Sequence, residues 1–337
     1  MKKIIFFILC VMQTIHIIQA AEFPEEYHHY FQIRRYFYHY IPWPFTTYSE
    51  PDFLSARTGT FGPQSVRITE KKDNGWAMTV TDTGTYWVYI LDDLPNPDVS
   101  VLDDFLRKWG NAVSIYYKNL EFGFIYTHNA ERVFSAASVI KAPYALYIYH
   151  LAEKGLADLN TVHTYTIRDY RGGSGVIRHM RPGMRFTEYE LLKHAIRYSD
   201  NVAFHMLIRA YGIYGFREFV TEIGGDSGLI RTVAGASMTA AEAGLFALEI
   251  YRYIESDGKY AAQFKADLKN TNNPMIVSDW PMARKYGWWQ GNFHDMAIVY
   301  SDSPYILVIM TQSGGNFRKF REISMVFQEF NDTNFRR

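Results

Sequence analysis

The hydrophobic period of this chain changes twice, and the order of those changes limits the fold more than any other feature. AVSIYYKNL (112–120) and EFGFIYTH (121–128) read as two strands joined by a short turn. A helix opens within FSAASVIKAPYAL (134–146) and runs to about Lys154, where Gly155 stops it. Thr187-Glu188-Tyr189-Glu190 has the form of a capping box before LLKHAIRY, NVAFHMLIRAYG is a further helix with a glycine stop, and Thr239-Ala240-Ala241-Glu242 opens a long helix to about Ser256. Strands return in KYGWWQG (285–291), DMAIVYS (295–301) and YILVIMTQ (305–312), and a helix from about Phe317 to Phe330 closes the chain. Strands, then helices, then strands with one helix is α+β order: a mostly antiparallel sheet built from both ends of the domain, with helices packed on it.

What precedes this domain is of a different kind. Lys2 and Lys3 followed by IIFFILCVMQTIHIIQA and Ala21 read as an export signal over 1–21. Gln13, Thr14, His16 and Gln19 interrupt the apolar run, so removal is favoured over an uncleaved membrane anchor; either way the protein is expected to be secreted or held at the cell envelope. The single cysteine, Cys10, falls inside the signal, which excludes disulfides and a thiol nucleophile from the mature chain. Residues 22–57 form an aromatic-rich lead-in, in which His28 and His29 have no ligand partners at metal spacing. Over 58–94 the period is two: SVRIT, WAMTV and YWVYI are separated by turn residues at Asn74-Gly75 and Thr83-Gly84. That small β module, with its expected core around Trp76 and Trp87, resembles a bacterial SH3-like module, a type that often accompanies cell-wall proteins. Pro95 and Pro97 mark its boundary with the domain at 98–337. Lys and Arg together number 35, as do Asp and Glu, so no basic field invites nucleic acid.

The chemistry begins at Ser138 and Lys141. Three residues apart, they share a helix face, and the helix N-terminus favours developing negative charge at the serine. Val139, Ile140, Ala142 and Pro143 desolvate the amine, which lowers its pKa and lets it accept the hydroxyl proton. Alone, S-x-x-K is a weak signal, far more often explained by a capping serine and a snorkelling lysine. Here Ser199-Asp200-Asn201 follows a capped helix and Lys285-Tyr286-Gly287 opens a strand, which completes the ordered set S-x-x-K, S-D-N, K-T-G.

With these elements, and with GGSGVI, ELLKHAIRYSDNVAFHML and DMAIVYSDSPYILVIMTQ, residues from about 100 to 337 resemble the class A β-lactamase-related serine hydrolases. The resemblance implies a β-lactamase/DD-peptidase-like fold and a cleft on which Ser138, Lys141, Ser199 and Lys285 converge. It implies Ser138 as acylated nucleophile, Lys141 as its base, and Ser199 as proton relay to the leaving nitrogen. Asn201 would hold the substrate's side-chain amide, Lys285 would face its carboxylate, and the Ser138 and Trp288 N–H groups would form the oxyanion hole. Asp200 reads as structural and Ser174 as a turn residue. Ser138 and Lys141 are expected within hydrogen-bond reach, about 3 Å. No cofactor or metal is implied. The substrate would be a β-lactam or the D-Ala-D-Ala end of a peptidoglycan stem, with cell-wall contact through the SH3-like module.

Two departures matter. The stretch 223–238, where the class A enzymes carry a deacylating glutamate, has none; Asp226 is its only carboxylate, and Glu242 reads as the capping-box partner of Thr239. The K-T-G hydroxyl is replaced by Tyr286, which alternation places on one face with Trp288; rings on a cleft-lining face would narrow the site beside Gly287. Slow deacylation is therefore expected. The alternative is a catalytically silent wall-binding or scaffold protein on the same fold.

Overall fold

The computed structural model describes residues 37–41, 45–52, 55–62, 64–72, 75–81, 84–90, 97–273, 275–312 and 317–335. The expected export signal with Cys10, the His28–His29 pair and Pro95 lie outside the described residues. The chain divides into two units, one built from residues up to 51 with 57–90, the other from 52–56 with 91–337.

The first unit is an antiparallel sheet of strands β1 (Phe37–Ile41), β2 (Phe45–Tyr48), β3 (Arg57–Phe61), β4 (Gln64–Lys71), β5 (Trp76–Thr81) and β6 (Gly84–Tyr89), in the order β1-β4-β5-β6-β2-β3. β1 and β2 come from the stretch read as a lead-in. Phe45, Val66, Ile68, Ala77, Val88 and Ile90 form the core. Trp76 is buried on the opposite face, edge-on to Tyr48 and Tyr89 at 5.4 and 5.3 Å. Strand alternation places Trp87 on the same face as Trp76, away from the core, and the Lys72 amine lies 4.5 Å above its ring.

The second unit opens with helix α1 (Ser100–Arg107) and strands β7 (Val113–Asn119), β8 (Ile125–His128) and β9 (Phe134–Ser135), followed by helix α2 (Lys141–Glu153). Strands β10 (Val162–Thr164) and β11 (Arg185–Thr187) pair with each other and lead into α3 (Glu188–Arg197), α4 (Asn201–Tyr211) and α5 (Tyr214–Glu222). The short strand β12 (Ser237–Met238) pairs with β9 and precedes α6 (Ala240–Ile254) and α7 (Ala261–Lys269). Strands β13 (Met282–Trp289), β14 (Asn292–Val299) and β15 (Tyr305–Thr311) and helix α8 (Phe317–Asn334) complete it. The main sheet runs β13-β14-β15-β7-β8, antiparallel throughout, so both ends of the domain meet in one sheet.

Helices cover both faces of that sheet, which is why β15 is buried at every position. Ile306, Val308 and Met310 face the core built around α2, α3, α4 and α6, whereas Tyr305, Leu307 and Ile309 face a second core under α1 and α8. Helix α2 is apolar on all sides and runs through the first core, where ten of its residues are buried. The Thr187–Glu190 capping box forms in both directions at the start of α3. At α6 only half forms: Thr239 Oγ1 accepts from Glu242 N at 3.0 Å, but the Glu242 carboxylate turns to the Asp226 N–H at 2.9 Å.

Candidate active site

Ser138 lies in a 3₁₀ turn, Ala137–Ile140, that feeds directly into α2. The residue before it, Ala137, has φ +47°, a left-handed conformation that costs a non-glycine residue about 1–2 kcal/mol. The turn abuts the edge strand β13 at Gly287. A Cβ at Gly287 would stand 2.6 Å from Ser138 N and 2.8 Å from Val139 N, so only glycine lets the two backbones meet. Opposite Gly287 on β14, buried His294 donates from Nε2 to Ser135 O at 2.9 Å and accepts at Nδ1 from Thr311 N at 3.2 Å. Burial holds this ring neutral, with its pKa pushed down to about 4. Gly287→Ala is therefore expected to destabilise the second unit by about 1–3 kcal/mol through overpacking. A chemical-denaturation midpoint unchanged by the substitution would show that the strand can shift aside.

Ser199, Asp200 and Asn201 sit at the start of α4. Asp200 is the helix cap, with Oδ1 accepting from Val202 N at 2.8 Å and Ala203 N at 3.0 Å. Its other oxygen accepts from Val176 N and Ile177 N at 2.6 and 2.9 Å, which clamps the Gly172–Gly175 loop against the helix. Gly173 and Gly175 have φ +90° and +111°, and a Cβ at either would collide with Asn201 or Asp200. Ser174 gives its carbonyl to Asn201 N at 3.1 Å, a turn role. Ser199 has φ +51°, the second strained non-glycine residue at this cleft.

The two lysines meet at Ser199. Lys141 Nζ donates to Ser199 O at 2.6 Å, Asn201 Oδ1 at 2.7 Å and Ser199 Oγ at 3.3 Å. Lys285 Nζ donates to Ser199 Oγ at 3.0 Å and Tyr286 O at 2.8 Å. Both amines are buried. Burial pushes Lys141 down to about 7, partly opposed by the Asp200 carboxylate. Lys285 is held well below the ordinary lysine range by burial, and further by the neighbouring Lys141 amine. With both amines donating to the Ser199 oxygen, its own proton is left to donate elsewhere.

The structure thus brings Ser138, Lys141, Ser199, Asn201, Lys285 and Gly287 together, and it corrects two expectations. Among the described residues the Lys141 amine makes no hydrogen bond to Ser138; its donors go to the carbonyl and amide oxygens of Ser199 and Asn201 instead. Asn201 accepts the Lys141 amine at Oδ1, and its Nδ2 donates one N–H to Gly172 O at 2.7 Å, leaving its second N–H. Tyr286 does not narrow the cleft. Alternation along β13 puts Ala283 in the first core and Tyr286 in the second, where the tyrosine is 2% exposed. Trp288 shares that face and stacks on Phe293 at 6.1 Å. The ring on the Lys285 and Gly287 face is Trp289, 57% exposed, which reading the sequence did not single out although the same period predicts it.

A model of the beta-lactamase enzyme family matches residues 99–327. No curated protein matches the sequence. Among solved structures, PBP-A superposes with a TM-score of 0.62 at 19% identity, over 70% of this chain and 98% of its own. A beta-lactamase from Sphaerobacter thermophilus superposes at 0.61 and 18% identity, covering 70% and 98%. A leucine-to-glutamate mutant of PBP-A, in an acyl-enzyme complex with penicillin G, gives 0.61 at 18% identity, covering 71% and 98%.

Proposed function

The chain belongs to the beta-lactamase enzyme family, and from that premise we propose that it is an exported serine hydrolase that forms an acyl-enzyme at Ser138 with a β-lactam or a peptidoglycan stem amide and releases it slowly. The observation that carries the reading is the Ser199 hydroxyl held between two buried amines, 3.0 Å from Lys285 and 3.3 Å from Lys141, beside the strained turn of Ser138. Neutral Lys141 takes the Ser138 proton as the oxygen attacks the carbonyl, and the helix N-terminus and the edge of β13 stabilise the oxyanion. Ser199 passes its proton to the leaving nitrogen and is replenished through the amines that donate to it. A PBP-A mutant of the same fold forms an acyl-enzyme complex with penicillin G, which supports acyl-enzyme formation here.

Slow release rests on 223–238. This stretch has no glutamate, and its one carboxylate is used locally: Asp226 Oδ1 accepts from Gly228 N at 2.8 Å. Glu242 is turned to the Asp226 N–H, and burial holds its carboxyl above the usual range. A general base is worth about 10²–10⁴-fold in rate, so the adduct should outlast by that factor one cleared with an activated water. Intact-mass measurements after a brief pulse of benzylpenicillin test this. An adduct persisting for minutes is the expected result; one that forms and clears within seconds would identify a working deacylating base. No adduct at all would favour the silent scaffold.

A further inference from the structure

The even balance of charge over the whole chain hides a local excess between α2 and α3. Residues 161–187 carry five arginines, Arg168, Arg171, Arg178, Arg181 and Arg185, against one carboxylate, Asp169. The ends of this stretch are joined: Val162–Thr164 pairs with Arg185–Thr187, and Glu188 N donates to Thr161 O at 2.8 Å. Its body is pinned to α4, where Asp200 accepts from Val176 N and Ile177 N, and Arg209 reaches Thr164 O and Asp169, each at 3.2 Å. Tyr165, Asp169, Ile177 and Phe186 are its buried anchors, the three apolar ones in the first core. The stretch therefore lies as a single layer over α3 and α4, and the side chains it leaves exposed belong to its outer side.

That outer side mixes cations with apolar groups. Asp169 does not offset the cations, because it is buried against Arg209 and accepts from Thr166 N and Oγ1 at 2.8 and 2.7 Å. The two glutamates that follow are also taken, Glu188 by Tyr211 and His163, Glu190 by Thr187. Arg168, Arg181 and Arg185 are exposed and make no ion pair among the described residues. Between them stand Ile167, 71% exposed, Met184, 47% exposed, and the exposed Tyr170 and Val176. Singly, such apolar side chains are ordinary on a protein surface. Interleaved with unpaired guanidinium groups on one layer, they fit one kind of partner. A soluble polyanion would pair the arginines and leave the apolar groups in water. An anionic bilayer pairs guanidinium groups with phosphates and takes apolar side chains into the boundary beneath them. We propose that residues 161–187 dock this protein on an anionic lipid surface. Gly172, whose carbonyl accepts from Asn201, belongs to the same layer, so docking would hold the cleft beside the bilayer. This surface does not depend on the acyl-enzyme reading.

The test measures binding of the full chain to vesicles of phosphatidylcholine alone and of phosphatidylcholine mixed with phosphatidylglycerol, with hydrogen exchange read along the chain. The expected result is protection of the 161–187 amides that requires the anionic lipid and fades as salt is raised. An arginine near an anionic surface is worth about fivefold in binding, so Arg181→Gln with Arg185→Gln should weaken docking of this layer roughly 25-fold. In that variant the protection should be lost even where the expected export signal keeps the chain on lipid. Ile167→Ser with Met184→Ser should weaken docking on vesicles and leave binding to dextran sulfate unchanged. No protection over 161–187 in the parent, equal protection on both vesicle types, or protection that survives the arginine substitutions with unchanged thermal unfolding overturns the proposal. Binding to dextran sulfate through this layer, with none to anionic vesicles, would assign it to a soluble polyanion and overturns the proposal as well.

Discussion

Ser138→Ala is expected to leave the chain with no mass shift on incubation with benzylpenicillin, where the parent chain gains one covalent adduct. The argument is one of elimination by geometry. The other serine at the cleft, Ser199, is fully buried, and its oxygen is occupied by two amines, so it has no free lone pair aimed outward for attack. Ser174 lies on the glycine loop that Asp200 clamps and is used through its carbonyl. Cys10 is the one cysteine of the sequence, and peptide mapping separates any adduct on its thiol from one on Ser138. Any residual adduct in the alanine variant, mapped by peptide digestion to another residue, would move the nucleophile and with it the functional reading.

The second large effect concerns Lys141. Its replacement by alanine should lower the acylation rate by about 10²–10⁴-fold, the usual worth of a positioned base. The parent should show a pH profile with a definite sign. The amine works only when deprotonated, and burial has brought its pKa to about 7. Acylation should therefore rise with pH up to about 7 and fall about tenfold for each unit below it. This rate limb should vanish in Lys141→Ala. A profile flat from pH 5 to 8, or one that survives the substitution, would show that another group takes the Ser138 proton.

Most of the site could be read from the sequence because its chemistry hangs on local, short-range signals. Ser138 and Lys141 are fixed by spacing across one turn, and Asp200 is a cap whose role follows from its place before α4. What escaped depended on which way a face turns. Tyr286 was expected beside the cleft because the family's hydroxyl stands at its position, but the period of a strand gives only alternation and not which side meets the nucleophile. That is settled by Ala283 and Met296 joining one core while Ala297 and Val299 join the other. The lysine's bond to Ser199 and Asn201 rather than to Ser138 is likewise tertiary. The main sheet and the long helices α2 and α6 were legible from period and caps. The short helices α1, α5 and α7 were not: α1 follows a proline-marked boundary, and α5 and α7 are nine residues each, with no side-chain cap. Packing holds such helices more than intrinsic propensity does.

The left-handed backbone at Ala137 and Ser199 has a consequence for how this protein can change. Each costs about 1–2 kcal/mol, a sizeable part of the roughly 5–15 kcal/mol that separates a folded domain from its unfolded chain. Glycine would relieve both positions and would also free the two turns that hold the hydroxyls in place. Selection for heat resistance alone would therefore replace these two residues early, and selection for reactivity would retain them, so a lineage of this chain can gain robustness cheaply only in regions remote from its cleft.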